Sequence, residues 1–368
     1  MKILGIFGAG RNGSTLLQRL LDSSPDVWMH PIDTNYVSIF NDLAHFGYAR
    51  PRTTRNATLE PLRYIDERLP YGVLAGYYAY HDTEIHRNFA DALDTAANAM
   101  ERLAQRADFA IADFLPELLR ASRQAYDRRD MAPGWFAFKS TEVGYIDYYQ
   151  RLFPEMKFLH IIRDPLDNYR SLKRTMLRIR RPFYYLGDSA IEVFLEKRWL
   201  AHATHALRFL QDTPSRHYLI KYEDLIKDPT AAIRGFCAWI AIATPLAGGA
   251  RQTVLGGKQI EKLQPNSSGS AAPSPQTVSA DIAKELGYQE VAAPYEIALI
   301  DLRTAAWRRR LGYTTQDRGA CAGLPLGFLL PSSEDLRSIG NPLRFAFHHF
   351  QRARYAASIL LGIRKNVI

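Results

Sequence analysis

Short apolar runs alternate with amphipathic stretches along this chain. Four runs have the length of buried strands in a parallel sheet: residues 2–8 (KILGIFG), 135–139 (WFAFK), 157–162 (KFLHII) and 217–221 (HYLIK). Apolar residues at helical spacing predict helices over 14–22, 165–180, 191–211, 229–240 and 294–311, and a long helical region within 87–128. Because strands and helices alternate, we predict a three-layer α/β/α fold with a central parallel sheet.

The second half of the chain contains segments without this alternation. Residues 264–280 are rich in Ser, Pro and Ala and predict a loop, and residues 315–340 are punctuated by Gly and Pro. A basic helical tail follows from residue 342. We predict one domain over residues 1–312 and a C-terminal extension over 313–368 whose tail docks on that domain. Contact of the tail with an anionic membrane is the alternative interpretation.

Composition narrows the class of protein. The chain is 47% apolar and 23% charged, which is typical of a globular protein, and its net charge of +9 suits an anionic ligand. It shows no recognition helix, zinc finger or RNA-binding aromatic motif, so we expect no nucleic-acid partner. Cys237 and Cys321 are too few for a disulfide framework. Without a signal peptide or a long apolar span, we expect a cytoplasmic protein.

The stretch GAGRNGST, residues 8–15, has the spacing of a phosphate-binding loop between a strand and a helix. Glycines there allow backbone N–H groups to approach anionic oxygens. A nucleoside-triphosphate loop would continue with lysine, but Ser14 stands there and Arg11 is the nearest cation. This favours a less charged ligand that needs no metal. A P-loop kinase using ATP and Mg²⁺ is the alternative.

A second anion site is predicted in FLHIIRDPLDNYRSLKR, residues 158–174. Arg163 follows a strand, and Asp164 and Pro165 have the residue types of a helix N-cap and first helical position. Ser171 lies about two turns into that helix. Ligands of parallel sheets collect at the carboxyl ends of the strands. Two anion sites at this edge therefore indicate a ligand with two separated phosphate-like groups.

These motifs, in this order, resemble those of the sulfotransferases that use 3′-phosphoadenosine 5′-phosphosulfate (PAPS). KYEDLIKDP, residues 221–229, resembles a third family motif, and the resemblance covers roughly residues 3–240. It implies a P-loop nucleotide-hydrolase-like fold and transfer of a sulfuryl group to a hydroxyl or amine. The acceptor is expected to be a small molecule, a glycan or a lipid-like alcohol. The product is adenosine 3′,5′-bisphosphate (PAP), and no metal is expected.

The resemblance also assigns roles to residues. It places the 5′-phosphosulfate at a loop segment, namely Gly10, Arg11, Asn12, Gly13, Ser14 and Thr15. It gives the 3′-phosphate to Arg163 and Ser171, and it makes Lys139 of FKSTE, with Arg11, a cation at the reacting group. Tyr222 is expected near the adenine, with an ordinary core tyrosine as the alternative. Asn266 and Ser267 are expected in a nucleotide-covering loop, with a plain Gly/Ser loop as the alternative.

The general base is open at this level. Cytosolic members of the family have a histidine where this chain has Thr141. Three residues are candidates to replace it: His30 and Asp33 after the first helix, and Glu142 beside the vacant position. The acceptor pocket is expected to form from residues 33–90 and 175–200.

Overall fold

A computed structural model describes residues 1–33, 114–126, 133–178, 190–243, 253–254, 258–259, 292, 294–313, 350, 353–355 and 357–359. In chain order, its α-helices, β-strands and a π-helical segment are β1 (Lys2–Phe7), α1 (Ser14–Asp22), β2 (Val27–Asp33), α2 (Phe114–Tyr126), β3 (Trp135–Ser140), α3 (Ile146–Leu152), β4 (Lys157–Ile162), α4 (Pro165–Arg178), α5 (Ala190–Glu192), the π-helical segment (Val193–Leu200), α6 (Ala201–Asp212), β5 (His217–Lys221), α7 (Tyr222–Lys227), α8 (Pro229–Trp239), β6 (Thr253–Val254), β7 (Lys258–Gln259) and α9 (Pro294–Arg310).

Within the described residues, five strands form one sheet in the order β2-β3-β1-β4-β5. Every neighbouring pair in it is parallel, which confirms the predicted central parallel sheet. The prediction missed β2, because its sequence VWMHPID is interrupted by Pro31. A proline is tolerated on an edge strand, and the pairing of β2 with β3 shifts register between Met29 and Asp33.

Helices cover both faces of this sheet, as the prediction of three layers requires. On one face, Leu17 and Leu20 of α1 and Phe236 of α8 pack with apolar strand residues. On the other, α4, the π-helical segment, α6 and α9 form a second buried cluster. Burial of these apolar surfaces is the main favourable contribution to folding. The carboxyl ends of the strands are left as the edge at which loops can build a site.

The predicted helix over residues 191–211 is present, but part of its backbone is π-helical. Dihedral angles stay helical where the segment joins α5 and α6, so the chain does not turn there. A π-helical turn differs from an α-helical turn in its hydrogen bonds, which apolar periodicity does not reveal. The sequence therefore predicts the helix but not the change in side-chain direction within it.

The C-terminal part is described only in pieces. Helix α9 confirms the predicted helix over 294–311, and Tyr355 is buried in the cluster that contains Trp199 and Trp307. This packing is compatible with a docked extension, while the boundary at residue 312 stays a prediction. Among the described residues, no helix is long and apolar enough to cross a membrane.

Candidate active site

The phosphate loop joins β1 to α1 at the carboxyl edge of the sheet. Gly13, the N-cap of α1, has a left-handed backbone with φ of 97°, a conformation that favours glycine. The first turn of α1, residues 14–17, contains no acidic residue. The partial positive charge of the helix N-terminus is therefore not offset locally, and anions are stabilised there.

Asn12 holds the loop in shape. Its Nδ2 donates a hydrogen bond to the carbonyl of Ile161 on β4 at 2.5 Å, and its Oδ1 accepts one from the backbone N–H of Ser14 at 3.2 Å. A Cβ added at Gly8 would lie 1.7 Å from the same Nδ2. The Asn12 side chain is buried, and both its nitrogen and its oxygen are hydrogen-bonded within the protein. For this residue, the structure favours a role in positioning the loop over direct contact with a ligand.

Lys139 brings a cation to the loop from a neighbouring strand. Its Nζ donates a hydrogen bond to Oγ1 of Thr15 at 2.9 Å, and its side chain is buried. The end of β3 is also tied to the loop, since the carbonyl of Ser140 accepts a hydrogen bond from Gly8 N–H at 3.3 Å. The ammonium that is absent from position 14 is therefore supplied at the same helix terminus by β3.

Arg163 extends the site from the end of β4. Its Nη1 donates a hydrogen bond to the carbonyl of Arg11 at 3.4 Å, and its guanidinium lies 4.4 Å from the ring centre of Tyr222. A Cβ at Gly13 would lie 2.2 Å from Cδ2 of that tyrosine. Tyr222 is therefore packed between the phosphate loop and Arg163. The two predicted anion sites adjoin each other.

Helix α4 contributes the second side of the site. Asp164 caps it as predicted, because its Oδ1 accepts hydrogen bonds from the N–H groups of Leu166 at 3.0 Å and Asp167 at 3.4 Å. Asn168 Nδ2 donates to the carbonyl of Gly10 at 2.9 Å. Ser171, also buried, lies three residues further and so shares the helix face of Asn168. The sequence prediction did not identify Asn168.

A partly buried polar network supports Arg163 from behind. The N–H of Asp164 donates to Oε1 of Glu223 at 2.9 Å, and the hydroxyl of Tyr313 donates to Oε2 of Glu223 at 2.9 Å. Arg308 of α9 forms an ion pair with Asp164 at 3.0 Å. Burial raises the pKa of both carboxyl groups despite these partners. Sequence spacing gave no signal for Arg308 or Tyr313, which are distant in the chain.

The three candidate bases have different surroundings. His30 is buried beside the ring of Trp28, at 5.8 Å between ring centres. Glu142 is also buried, and its Oε2 accepts a hydrogen bond from the hydroxyl of Tyr149 at 2.5 Å. Asp33 ends β2 and is the register partner of Lys139 on β3. Of the three, only Asp33 is paired with Lys139 in the sheet.

Two predicted contacts lie outside the described residues, namely Asn266 and Ser267. Most of the segments expected to line the acceptor pocket also lie outside them. Over the parts of the chain that the structure describes, no group of His, Cys, Asp and Glu residues could hold a metal ion.

Comparison with known proteins bears on this geometry. The sequence model described as "Sulfotransferase family" matches residues 4–245, which contain β2 to β5 and most of β1 of the parallel sheet. The chain belongs to the sulfotransferase family. It is 37% identical over 90 residues to the omega-hydroxy-beta-dihydromenaquinone-9 sulfotransferase Stf3 of Mycobacterium bovis and of Mycobacterium tuberculosis. That match covers 23% of this chain and only about a fifth (22%) of the length of those relatives.

Two solved sulfotransferases are also similar. The sulfotransferase domain from the curacin biosynthetic pathway is 17% identical with a TM-score of 0.49, over 85% of this chain and 98% of that one. The sulfotransferase STF9 from Mycobacterium avium is 14% identical with a TM-score of 0.41, over 86% of this chain and 78% of that one.

Proposed function

We propose that this chain transfers a sulfuryl group from PAPS to a hydroxyl or amine of a small-molecule, glycan or lipid-like acceptor. One observation carries the proposal: the phosphate loop and Arg163 adjoin through Tyr222, whose ring packs on Gly13 and lies 4.4 Å from the guanidinium. A ligand with anionic groups at both ends of an adenosine would span these two places. The family to which the chain belongs supports the same reaction.

The residues present fit such a donor. Glycine at positions 10 and 13 keeps side-chain bulk out of the loop, where a β-carbon would crowd Arg198 or Tyr222. The N-terminus of α1 points at this loop. Arg11 and Lys139 would hold the 5′-phosphosulfate, and Arg163 and Ser171 would hold the 3′-phosphate. Tyr222 lies between these two groups and would contact the nucleoside. PAPS supplies the sulfuryl group, while the protein binds it and orients it.

The protein's contribution to the reaction is positioning and charge stabilisation. The acceptor oxygen or nitrogen forms a bond to sulfur while the bond from sulfur to the 5′-phosphate oxygen breaks, and PAP leaves with the bonding electrons. Negative charge grows on the leaving oxygen and would be stabilised by Lys139; its hydrogen bond to Thr15 at the loop supports this role. The acceptor loses a proton, which a base must take.

We propose Asp33 as this base. The support is its position: it ends β2 at the carboxyl edge of the sheet, in register with Lys139. The carboxylate of Glu142 already accepts the Tyr149 hydroxyl, and His30 packs against Trp28. The variant Asp33→Asn should lower kcat by about 100-fold, within the usual range for general-base catalysis, and should leave PAP affinity within about twofold. If Glu142→Gln or His30→Gln showed that pattern instead, the base would be reassigned.

A lipid-like alcohol is the acceptor class with the most support. The partial match to Stf3 is to proteins whose name states a hydroxylated menaquinone as the acceptor. Since the match covers a small part of those proteins, glycans and other small alcohols belong in the same screen. The measurement is transfer of labelled sulfate from PAPS to a panel of isoprenoid alcohols, phenols and sugars.

Ligand-induced thermal stabilisation tests the donor directly. PAP should raise the unfolding midpoint more than ATP with Mg²⁺ at equal concentration, because a ligand stabilises the native state by an amount set by its affinity. Stronger protection by ATP with Mg²⁺ would favour a P-loop kinase and refute the sulfotransferase proposal.

A further inference from the structure

The π-helical segment Val193–Leu200 brings a further arginine to the phosphate loop. Helical segments of this kind are rare and occur often at functional sites. Arg198 lies near its end and is half-buried. A Cβ added at Gly10 would stand 3.2 Å from Nη1 of Arg198. The guanidinium therefore lies beside the loop at Gly10, close enough that a β-carbon there would crowd it.

Contacts on two sides fix the segment that carries Arg198. Arg303 of α9 binds Glu196 through two hydrogen bonds, Nε to Oε1 at 2.7 Å and Nη2 to Oε2 at 2.9 Å. The hydroxyl of Tyr355 donates to Oε1 of the same carboxylate at 2.8 Å. Such bidentate pairs are strong and geometrically specific. The outer side of the segment is thereby attached to α9.

On the inner side, the segment is attached to the second anion site. Nε1 of Trp199 donates a hydrogen bond to the carbonyl of Arg163 at 2.9 Å, and the indole is buried. Residue 198 thus lies between two anchored neighbours, Glu196 and Trp199. The backbone of residue 198 is therefore held in a helix and not in a flexible loop, which is what a precise binding site requires.

We propose that Arg198 binds the anionic 5′ end of the donor, together with Arg11 and Lys139. This inference rests on the proposed function, because it takes the phosphate loop as the place of the 5′-phosphosulfate. An arginine there offers two parallel N–H donors to phosphate or sulfate oxygens, which a lysine does not. Gly10 contributes by leaving room for the guanidinium to reach the loop.

Two ligands that differ only at the 5′ end, PAP and adenosine 3′-monophosphate, test this proposal. Calorimetric titration of Arg198→Gln with PAP should show a Kd increased by about 10-fold to 100-fold, as expected for losing a charge-assisted hydrogen bond. Adenosine 3′-monophosphate lacks the 5′ group, so its Kd should change by less than about twofold. Equal losses for both ligands, or no loss for PAP, would overturn the inference.

Lys197→Gln is the matched control, since it removes the same charge from the adjacent, exposed residue. It should leave both Kd values within about twofold, which excludes a general effect of net charge. Arg198→Lys keeps the charge and most of the stem and should give an intermediate PAP affinity, even if Arg198→Gln folds poorly. PAP affinity equal to that of the wild type in both Arg198 variants would refute the role of Arg198.

A third variant tests the geometry from the loop side. Gly10→Ala should weaken PAP binding less than Arg198→Gln does and spare adenosine 3′-monophosphate, because a Cβ 3.2 Å from Nη1 would only shift the guanidinium slightly. If the wild type bound no PAP, the proposed function would fail and this inference with it. If the wild type bound PAP, and both Gly10→Ala and Arg198→Gln bound it as tightly as the wild type does, only the assignment of Arg198 would fail.

Discussion

Strand β4 carries His160 in its middle and Arg163 just past its end. The two side chains lie in different polar clusters: His160 among buried histidines, and Arg163 among the loops at the carboxyl end of the strand. The Nδ1 atom of His160 is 3.2 Å from Nε2 of His202, and its Nε2 is 2.9 Å from Nδ1 of His217. All three rings are buried. Burial lowers the pKa of His202 and His217 to about 3 and that of His160 well below its usual value. These histidines are neutral at pH 7.

Arg163 lies only three residues away, where the strand gives way to loops. Its guanidinium contacts the phosphate loop and Tyr222, and arginine keeps its charge in proteins. In the middle of the sheet, polar groups must satisfy one another because strands and helices enclose them. At the carboxyl end, the surrounding loops leave room for a ligand. Position along one strand therefore separates a cluster that stabilises the fold from one that binds.

The largest expected effect is a loss of PAP affinity, which changes at Arg163 should cause and changes in the histidine cluster should not. Arg163→Ala should weaken PAP binding by more than 100-fold, about 3 kcal/mol, because a charge-assisted contact to the 3′-phosphate is lost. Calorimetric titration measures it. The variant His217→Phe, whose new ring can stack between Phe158 and Phe209 as the imidazole does, should bind PAP as the wild type does. Unchanged PAP affinity in Arg163→Ala would remove Arg163 from the donor site.

The next effect compares the two ends of the strands. Lys139→Met should lower kcat by about 100-fold, with a smaller change in PAP affinity, because the cation acts on charge that grows during transfer. Lys157→Met is the matched control, since Lys157 begins β4 at the opposite edge and donates to the carbonyl of Ser215. Steady-state kinetics with a sulfate acceptor measure both. A kcat that falls equally in both variants would argue against a specific role of Lys139.

The two clusters also differ in how far the sequence predicts them. The strands before Arg163 and Tyr222 and the loop at residues 8–15 were predicted from local patterns, because apolar runs and glycines act over a few residues. The histidine cluster and Arg198 were not predicted, because their partners are far apart in the chain. His160 is 42 residues from His202 and 57 from His217. Only the folded sheet and the π-helical segment bring these side chains together.

The third expected effect is a change of stability with pH that comes from the histidine cluster. The unfolded pKa of histidine is about 6.5 and the folded values of His202 and His217 are about 3, so the unfolded state binds more protons between these values. The stability that these neutral histidines contribute is complete above pH 6.5 and falls as the pH drops. When the pH falls from 7 to 5, His202 and His217 should each lower the free energy of unfolding by about 2 kcal/mol.

The variant His217→Phe isolates this contribution. Asp164 and Glu223 have raised pKa values and therefore change stability with pH in the opposite direction, so the wild-type curve alone is a sum. Urea unfolding at pH 7 and pH 5 should show a loss that is about 2 kcal/mol smaller in His217→Phe than in the wild type. An identical pH dependence in the two proteins would mean that His217 is not held neutral by the fold.

The smallest expected effect tests whether the network behind Arg163 is part of the binding site. Tyr313→Phe removes the hydroxyl that donates to Glu223, and Tyr355→Phe removes the equivalent hydroxyl on Glu196. Each should lower the unfolding free energy by about 1 kcal/mol, the usual contribution of a hydrogen bond. Only Tyr313→Phe should also weaken binding of adenosine 3′-monophosphate, by about fivefold, because Glu223 holds the N–H of Asp164 next to Arg163. Equal losses of stability with no difference in affinity would show that the network stabilises the fold without positioning the arginine.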